Sequence, residues 1–174
     1  MRTTDESRLS TGGENGSCRY RILGEEMENG WRRKGGAVDT GDIDGGTRGE
    51  ILIVEDDGDF VEDLFAMWSP PLPVARASSG REAVEYLRTS APALVLLDLN
   101  LPHYLADDDD AEGLGILSFI RSRSGAGIPV IIITRESSDE IRSRAEALGA
   151  QGFLSKPLQI SDLEDAVTRI VQAA

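Results

Sequence analysis

The chain has 174 residues, 40% of them hydrophobic, and a formal net charge of -13 at pH 7, which allows one domain of ordinary size plus an extra segment. So acidic a surface repels nucleic-acid phosphates and argues against direct nucleic-acid binding by this chain alone. A single cysteine, Cys18, excludes an intrachain disulfide and fits a reducing, cytoplasmic setting, and no apolar run approaches the roughly 18 residues a membrane span needs.

Eleven of the nineteen glycines lie in residues 1–50, a stretch without sustained apolar periodicity. Residues 1–49 therefore read as a disordered, Gly-rich N-terminal tail, and residues 50–174 as the folded domain. The tail carries a small basic cluster, Arg32, Arg33 and Lys34 beside Trp31, and Met27 is an alternative start.

From Glu50 onward, strand and helix patterns alternate. Ile51 to Val54 is a short β-branched run ending in Glu55, Asp56 and Asp57, and reads as a buried parallel strand. Asp59 is placed to cap a helix with Val61, Leu64, Phe65 and Trp68 on its apolar stripe, ended by Pro70, Pro71 and Pro73. Val74 to Ala77 is a weak second strand, and Ser79 with Glu82 has capping-box spacing before a helix that buries Ala83, Val84 and Leu87. Ala93 to Leu97 is continuous in apolar residues, as in a strand covered on both faces, and stops at Asp98 before a turn at Pro102.

Leu114, Leu117, Phe119 and Ile120 place a third helix, with a Gly-rich turn at residues 125–127 behind it. Val130 to Ile133 is a fourth strand, ending at Thr134. Ser137 and Glu140 suggest a second capping box for a helix that buries Ile141, Ala145 and Leu148 and stops at Gly149. Gln151 to Leu154 is a fifth strand that ends near Lys156 and Pro157. Ser161 and Glu164 suggest a third box, opening a last helix with Leu163, Val167, Ile170 and Val171.

This alternation implies an α/β fold: a doubly wound five-stranded parallel sheet with helices on both faces. Sites in such sheets lie beyond the carboxyl ends of the strands, where Glu55, Asp56, Asp57, Asp98, Thr134 and Lys156 are expected to converge. Clustered carboxylates repel and raise one another's pKa unless a cation sits among them, and all-oxygen anionic ligands favour Mg²⁺ or Mn²⁺ over zinc. Lys156 and Thr134 supply a positive charge and a hydroxyl suited to a phosphoryl group's oxygens. Asp98, on the central strand, is then the candidate nucleophile and an aspartyl phosphate the implied product.

Residues 50–174 resemble the receiver domain of two-component response regulators, the fold of the bacterial chemotaxis response regulator. The motifs ILIVEDD, LVLLDLNLP, IIIT followed by Arg135, and GAQGFLSKP carry the resemblance, in the right order and spacing. It implies a flavodoxin-like strand order 2-1-3-4-5, and a phosphorelay role in which Asp98 takes a phosphoryl group from a sensor histidine kinase or histidine phosphotransfer protein. It also implies Mg²⁺ (or Mn²⁺) held by Asp56 directly, by Glu55 through water, by Asp98 and by the backbone carbonyl of Asn100. Thr134 matches the switch hydroxyl, Lys156 the phosphate-binding lysine, and Phe153 the aromatic that turns inward on activation. Asp57 falls outside the acidic pair and reads as a solvated or helix-capping acid, and a cis bond is implied before Pro157.

Because the last helix nearly reaches Ala174, a stand-alone receiver is expected, not an enzyme in the turnover sense but one capable of Mg²⁺-dependent self-phosphorylation and self-dephosphorylation. It would signal by contact with a downstream protein, with no membrane insertion, and the face from the fourth to the fifth helix is a possible homodimer surface. Two features depart from the family. His103 to Glu112, with four acids from Asp107 to Asp110, makes the connection after Pro102 unusually long, either a solvated loop or one that screens the site from anionic donors or selects a basic partner. Arg135 stands where the family has a small residue, either as an exposed cation, a cover for the phosphoryl pocket or a partner of the acidic loop. A phosphorylation-independent binding module of the same fold is the main alternative. A haloacid-dehalogenase-type phosphatase is disfavoured, because it wants a second acid two residues after the nucleophile, where Asn100 stands.

Overall fold

In a computed structural model of the protein, the described residues are 20–22, 49–102, 112–123 and 127–173. They form six strands, β1 (Tyr20–Ile22), β2 (Ile51–Val54), β3 (Val74–Ala77), β4 (Leu94–Leu97), β5 (Val130–Thr134) and β6 (Gly152–Ser155). The helices are α1 (Gly58–Met67), α2 (Gly80–Thr89), α3 (Glu112–Arg123), α4 (Asp139–Ala147) and α5 (Ile160–Ala173). All strand pairs are parallel, in the order β1-β3-β2-β4-β5-β6. The five expected strands thus take the expected 2-1-3-4-5 arrangement.

Side chains alternate between two cores because strand residues alternate faces. On one face Leu52, Val54, Val95, Leu97 and Ile132 pack with Ala83 and Leu87 of α2, Leu114 and Leu117 of α3, and Ala145 of α4. On the other, Ile51, Ile53, Leu94, Leu96, Ile131 and Ile133 pack with Val61 and Leu64 of α1, with Trp68, and with Leu163 and Val167 of α5. With each central strand apolar on both faces, every fully buried Leu or Ile contributes about 1.5–3 kcal/mol. This explains why the strands read as unbroken apolar runs.

The sixth strand corrects the reading of residues 1–49 as uniformly disordered. Tyr20–Ile22 runs parallel to β3, with Arg21 opposite Ala75, and extends the sheet past its expected edge. Three residues are too few to show a period, and their partner, the open edge of β3, lies some fifty residues further along the chain.

Helix starts differ in detail from the capping patterns. Asp57, not Asp59, caps α1: its Oδ1 accepts from the Phe60 amide at 3.0 Å. Ser138, not Ser137, caps α4, and α5 begins at Ile160, so Ser161 lies inside the helix with the Gln159 carbonyl accepting from Asp162 and Leu163. Ser79 caps α2 as expected, but the Glu82 carboxylate reaches the Ser78 amide, at 2.7 Å, instead of that of Ser79. A capping spacing is a local signal that shifts by a residue or more when the preceding strand fixes where the chain turns.

At the far end of α4, Gly149 has φ 90°, and Arg121 of α3 donates to the carbonyls of Leu148, Gly149 and Ile128. The last carbonyls of the helix accept from the backbone amides of Leu148, Gly149 and Ala150, and the turn beyond them is held by a partly buried guanidinium whose pKa burial lowers. The acidic insert lies outside the described residues apart from Glu112, the first residue of α3, and so does most of the expected turn at 125–127.

Candidate functional site

Four parallel strands deliver their last residues to one edge, and the backbone ladder continues just beyond them. Glu55 N donates to Ala77 O at 3.0 Å, Asp98 N to Val54 O at 3.0 Å, and Lys156 N to Thr134 O at 2.8 Å. The functional side chains are therefore carried on sheet backbone, which fixes their spacing. Among the described residues, the buried polar or charged side chains are Glu55, Asp98 and Thr134, exposed by only 2%, 5% and 0%. Burial of polar groups is costly unless they are paired, and here it is confined to this edge.

The pairing is complete among the described residues: no buried side-chain nitrogen or oxygen lacks a partner. Lys156 Nζ lies between two carboxylates, 2.6 Å from Glu55 Oε2 and 2.7 Å from Asp98 Oδ2, and 4.1 Å from the centroid of the Phe60 ring. The Lys156–Pro157 bond is cis, as the resemblance implies. The other oxygen of Asp98, Oδ1, accepts from the Asn100 amide at 2.9 Å. Thr134 Oγ1 donates to Asn100 Oδ1 at 2.7 Å and accepts from the Glu136 amide at 3.2 Å.

Ligand oxygens of Glu55, Asp56 and Asp98 lie within 4.8 Å of one another, with Asp56 exposed and the other two buried. Three carboxylates with no histidine or cysteine among them form a hard, anionic donor set that fits Mg²⁺ or Mn²⁺. The pKa of Glu55 is raised from 4.5 to about 7, first by burial; the hydrogen bond from Lys156 opposes this and the nearby Asp98 charge adds to it. Burial, more than the mutual repulsion expected from sequence, sets this value.

Three contacts were not legible beforehand. Arg76, on β3, donates to the carbonyls of Glu55 and Asp56 at 3.3–3.4 Å, holding the loop that carries two of the acids. Gly113 admits the start of α3 against the Asp98 loop, since a Cβ there would collide with the Asp98 carbonyl oxygen and with Leu99 Cα. Asn100 joins Asp98 to Thr134, its backbone amide donating to Asp98 and its side-chain oxygen accepting from Thr134, although sequence pointed only to its backbone carbonyl. Arg76 gives no motif signal; Asn100 is flagged only by standing two residues past Asp98.

The remaining expected residues also find places. Arg135 pairs with Asp57 at 3.1 Å, and Asp57 is the capping acid anticipated; the reading that pairs Arg135 with the acidic insert falls on residues outside those described. The Phe60 amide, helped by Arg135, holds the Asp57 carboxyl below the usual range. Phe153, in β6, is partly buried, with the Arg142 guanidinium of α4 4.4 Å from its ring centroid.

A doubly wound sheet with an acid cluster, a lysine and a buried threonine at its carboxyl edge defines the class, an α/β domain with a candidate metal and phosphoryl site. Residues 51–168 match the response regulator receiver domain family, and the chain belongs to that family. It is 32% identical over 130 residues to the transcriptional regulatory protein PdtaR of Mycobacterium tuberculosis, covering 74% of this chain and 59% of that protein. It is 35% identical over 118 residues to the transcriptional regulatory protein ZraR of Escherichia coli, covering 66% and 24%. The chain thus spans between about a quarter and three fifths of these relatives' length.

Among solved structures, the signal receiver domain of a DNA-binding response regulator from Colwellia psychrerythraea aligns with a TM-score of 0.59 at 31% identity, covering 71% of this chain and 98% of that one. The receiver domain of a signal transduction histidine kinase from Syntrophus aciditrophicus aligns with a TM-score of 0.60 at 28% identity, covering 72% and 92%. Receiver domains are signalling domains of two-component systems, characteristically phosphorylated on aspartate, and bind Mg²⁺ at an acidic pocket. No described helix is long and apolar enough to cross a membrane.

Proposed function

We propose that Asp98 accepts a phosphoryl group from a histidine kinase or histidine phosphotransfer protein, and that the resulting state is passed on through protein contacts. The observation that carries this reading is Lys156 Nζ, set in a buried site between Asp98 Oδ2 at 2.7 Å and Glu55 Oε2 at 2.6 Å. The Asp98 carboxylate attacks phosphorus, its new O–P bond forming as the N–P bond to the donor histidine breaks. A carboxylate nucleophile has no proton to lose as it attacks, so no general base is needed. Lys156 then exchanges a carboxylate contact for a phosphoryl oxygen, and Thr134 supplies a hydroxyl proton to another.

Glu55, Asp56, Asp98 and the Asn100 carbonyl would hold Mg²⁺ or Mn²⁺, which supplies positive charge against the phosphoryl oxygens. Burial of Glu55 and Asp98 beside Lys156 supports those assignments, and Phe153 is assigned the inward turn that reports the state on the α4–β6–α5 face, a possible homodimer surface. The domain is assigned to residues 50–174, with β1 as an addition from the preceding segment.

A cavity of about 450 Å³ beside Lys156, lined by apolar residues including Phe60, Met67 and Ile160 and by the charged Asp63 and Arg135, gives a protein donor a mixed apolar and charged seat near the acceptor. Met67 is 62% exposed there. Phosphate-affinity electrophoresis after incubation with acetyl phosphate tests the proposal. A retarded band is expected with Mg²⁺ and not with EDTA, and not for Asp98→Asn under either condition. No retarded wild-type band favours the phosphorylation-independent binding module instead.

A further inference from the structure

The hydroxyl of Thr134 has one proton to give, and in this structure it is committed. Thr134 Oγ1 donates to Asn100 Oδ1 at 2.7 Å, while the Glu136 amide fills an acceptor site on the same oxygen at 3.2 Å. Thr134 is fully buried, so water does not compete for that proton. Asn100 also bonds through its own amide to Asp98 Oδ1 at 2.9 Å, so one residue touches both the acceptor carboxylate and the hydroxyl expected to respond to its phosphorylation.

We propose that the side chain of Asn100 is a positioning residue that holds the Thr134 proton in the unphosphorylated state and so sets how far the switch leans toward rest. The inference rests on the phosphoacceptor reading of Asp98 and extends it to a side chain with no role in the chemistry itself. For Thr134 to donate to a phosphoryl oxygen, its bond to Asn100 must break. The resting state therefore gains a hydrogen bond that the phosphorylated state lacks. A net hydrogen bond of this kind changes a two-state equilibrium by about two- to tenfold. The backbone carbonyl of Asn100 is unaffected by side-chain replacement, so the two functions of this residue are separable.

A double-mutant cycle with beryllofluoride and Mg²⁺ as the phosphoryl mimic isolates the contact. Asn100→Leu keeps the shape and removes the acceptor; Thr134→Val keeps the shape and removes the proton. Asn100 is exposed, and thermal melts of each variant verify the fold. Asn100→Leu is expected to tighten beryllofluoride binding by about two- to tenfold when Thr134 is present, and not in the Thr134→Val background. Unchanged or weaker binding of Asn100→Leu, or an equal change in both backgrounds, overturns the role of Asn100 while leaving Asp98 as the acceptor. No binding to the wild type removes the phosphoacceptor reading and this proposal with it.

Discussion

The guanidinium of Arg135 meets the carboxylate of Asp57 at 3.1 Å, tying the loop after β5 to the N-cap of α1. Because β4 lies between β2 and β5 in the sheet, this ion pair passes across the end of the strand that carries Asp98. Arg135 is 72% exposed, so the pair is screened by solvent and adds little to stability. Its effect is expected in access. Arg135→Ala should leave the melting temperature nearly unchanged but speed both phosphorylation by acetyl phosphate and loss of the phosphoryl group, each severalfold. Time courses at low and high salt measure this; unchanged rates contradict the gating role.

Glu55 gives the metal-free protein a pH signature. Its pKa is about 7 in the folded chain against 4.5 for a free side chain, so between these values the folded state holds a proton that the unfolded state has lost. Stability contributed by this group is present below about pH 4.5 and is lost as pH rises through about 7. Mg²⁺ requires the ionised form, so its affinity should rise with pH over the same window, with proton release detectable by calorimetry in buffers of different ionisation enthalpy. A pH-independent Mg²⁺ affinity between pH 5 and pH 8 would contradict this (window set by the same shift).

Removing the lysine sharpens the same test. The Lys156 hydrogen bond is the largest influence lowering the Glu55 pKa, so Lys156→Met should raise the metal-free midpoint above about 7. Leaving two buried carboxylates without their cation should also destabilise the fold at neutral pH, by about 3–5 kcal/mol before protonation offsets part of it. A carboxyl-selective NMR titration reads the midpoint. A value at or below that of the wild type argues against the bridging geometry.

Arg142 lies over the Phe153 ring at 4.4 Å, a contact that an inward turn of Phe153 would break. A cation over an aromatic ring at a partly exposed site is worth about 0.5–1 kcal/mol. Arg142→Ala should therefore favour the activated state about two- to fivefold, seen as tighter beryllofluoride binding and as a shifted Phe153 ring population by NMR. Weaker binding would show that Arg142 supports the activated state instead.

A chain begun at Met27 lacks Tyr20–Ile22 and leaves the edge of β3 without its neighbour. Amides of β3 that face β1 should exchange faster in that shortened chain, while those of β4 and β5 keep their protection. Equal exchange in both chains would show that β1 adds nothing to the sheet.

The legible parts of the sequence were those governed by long-range burial or by residue chemistry. Ile51 to Val54, Leu94 to Leu97 and Val130 to Ile133 are apolar on both faces, a pattern few other structures require, and Asp98 and Thr134 stand out as polar residues at their ends. Features decided by a few ångströms were not legible. Ser137 and Ser138 offer the same hydroxyl one residue apart, and only the path of the chain leaving β5 selects Ser138. Arg135 pairs with Asp57 across the sheet edge, residues 78 apart in sequence, and no local pattern encodes that contact. The side-chain bond of Asn100 to Thr134 joins residues 34 apart in sequence, and no local pattern encodes it.

The central claim is that Asp98 carries the phosphoryl group. Intact-mass analysis of wild type and Asp98→Asn after incubation with acetyl phosphate and Mg²⁺, before and after hydroxylamine treatment, tests it most directly. The account predicts a gain of one phosphoryl group on the wild type that hydroxylamine removes, and none on Asp98→Asn. A hydroxylamine-stable gain, an equal gain on both proteins, or no gain on the wild type would contradict it.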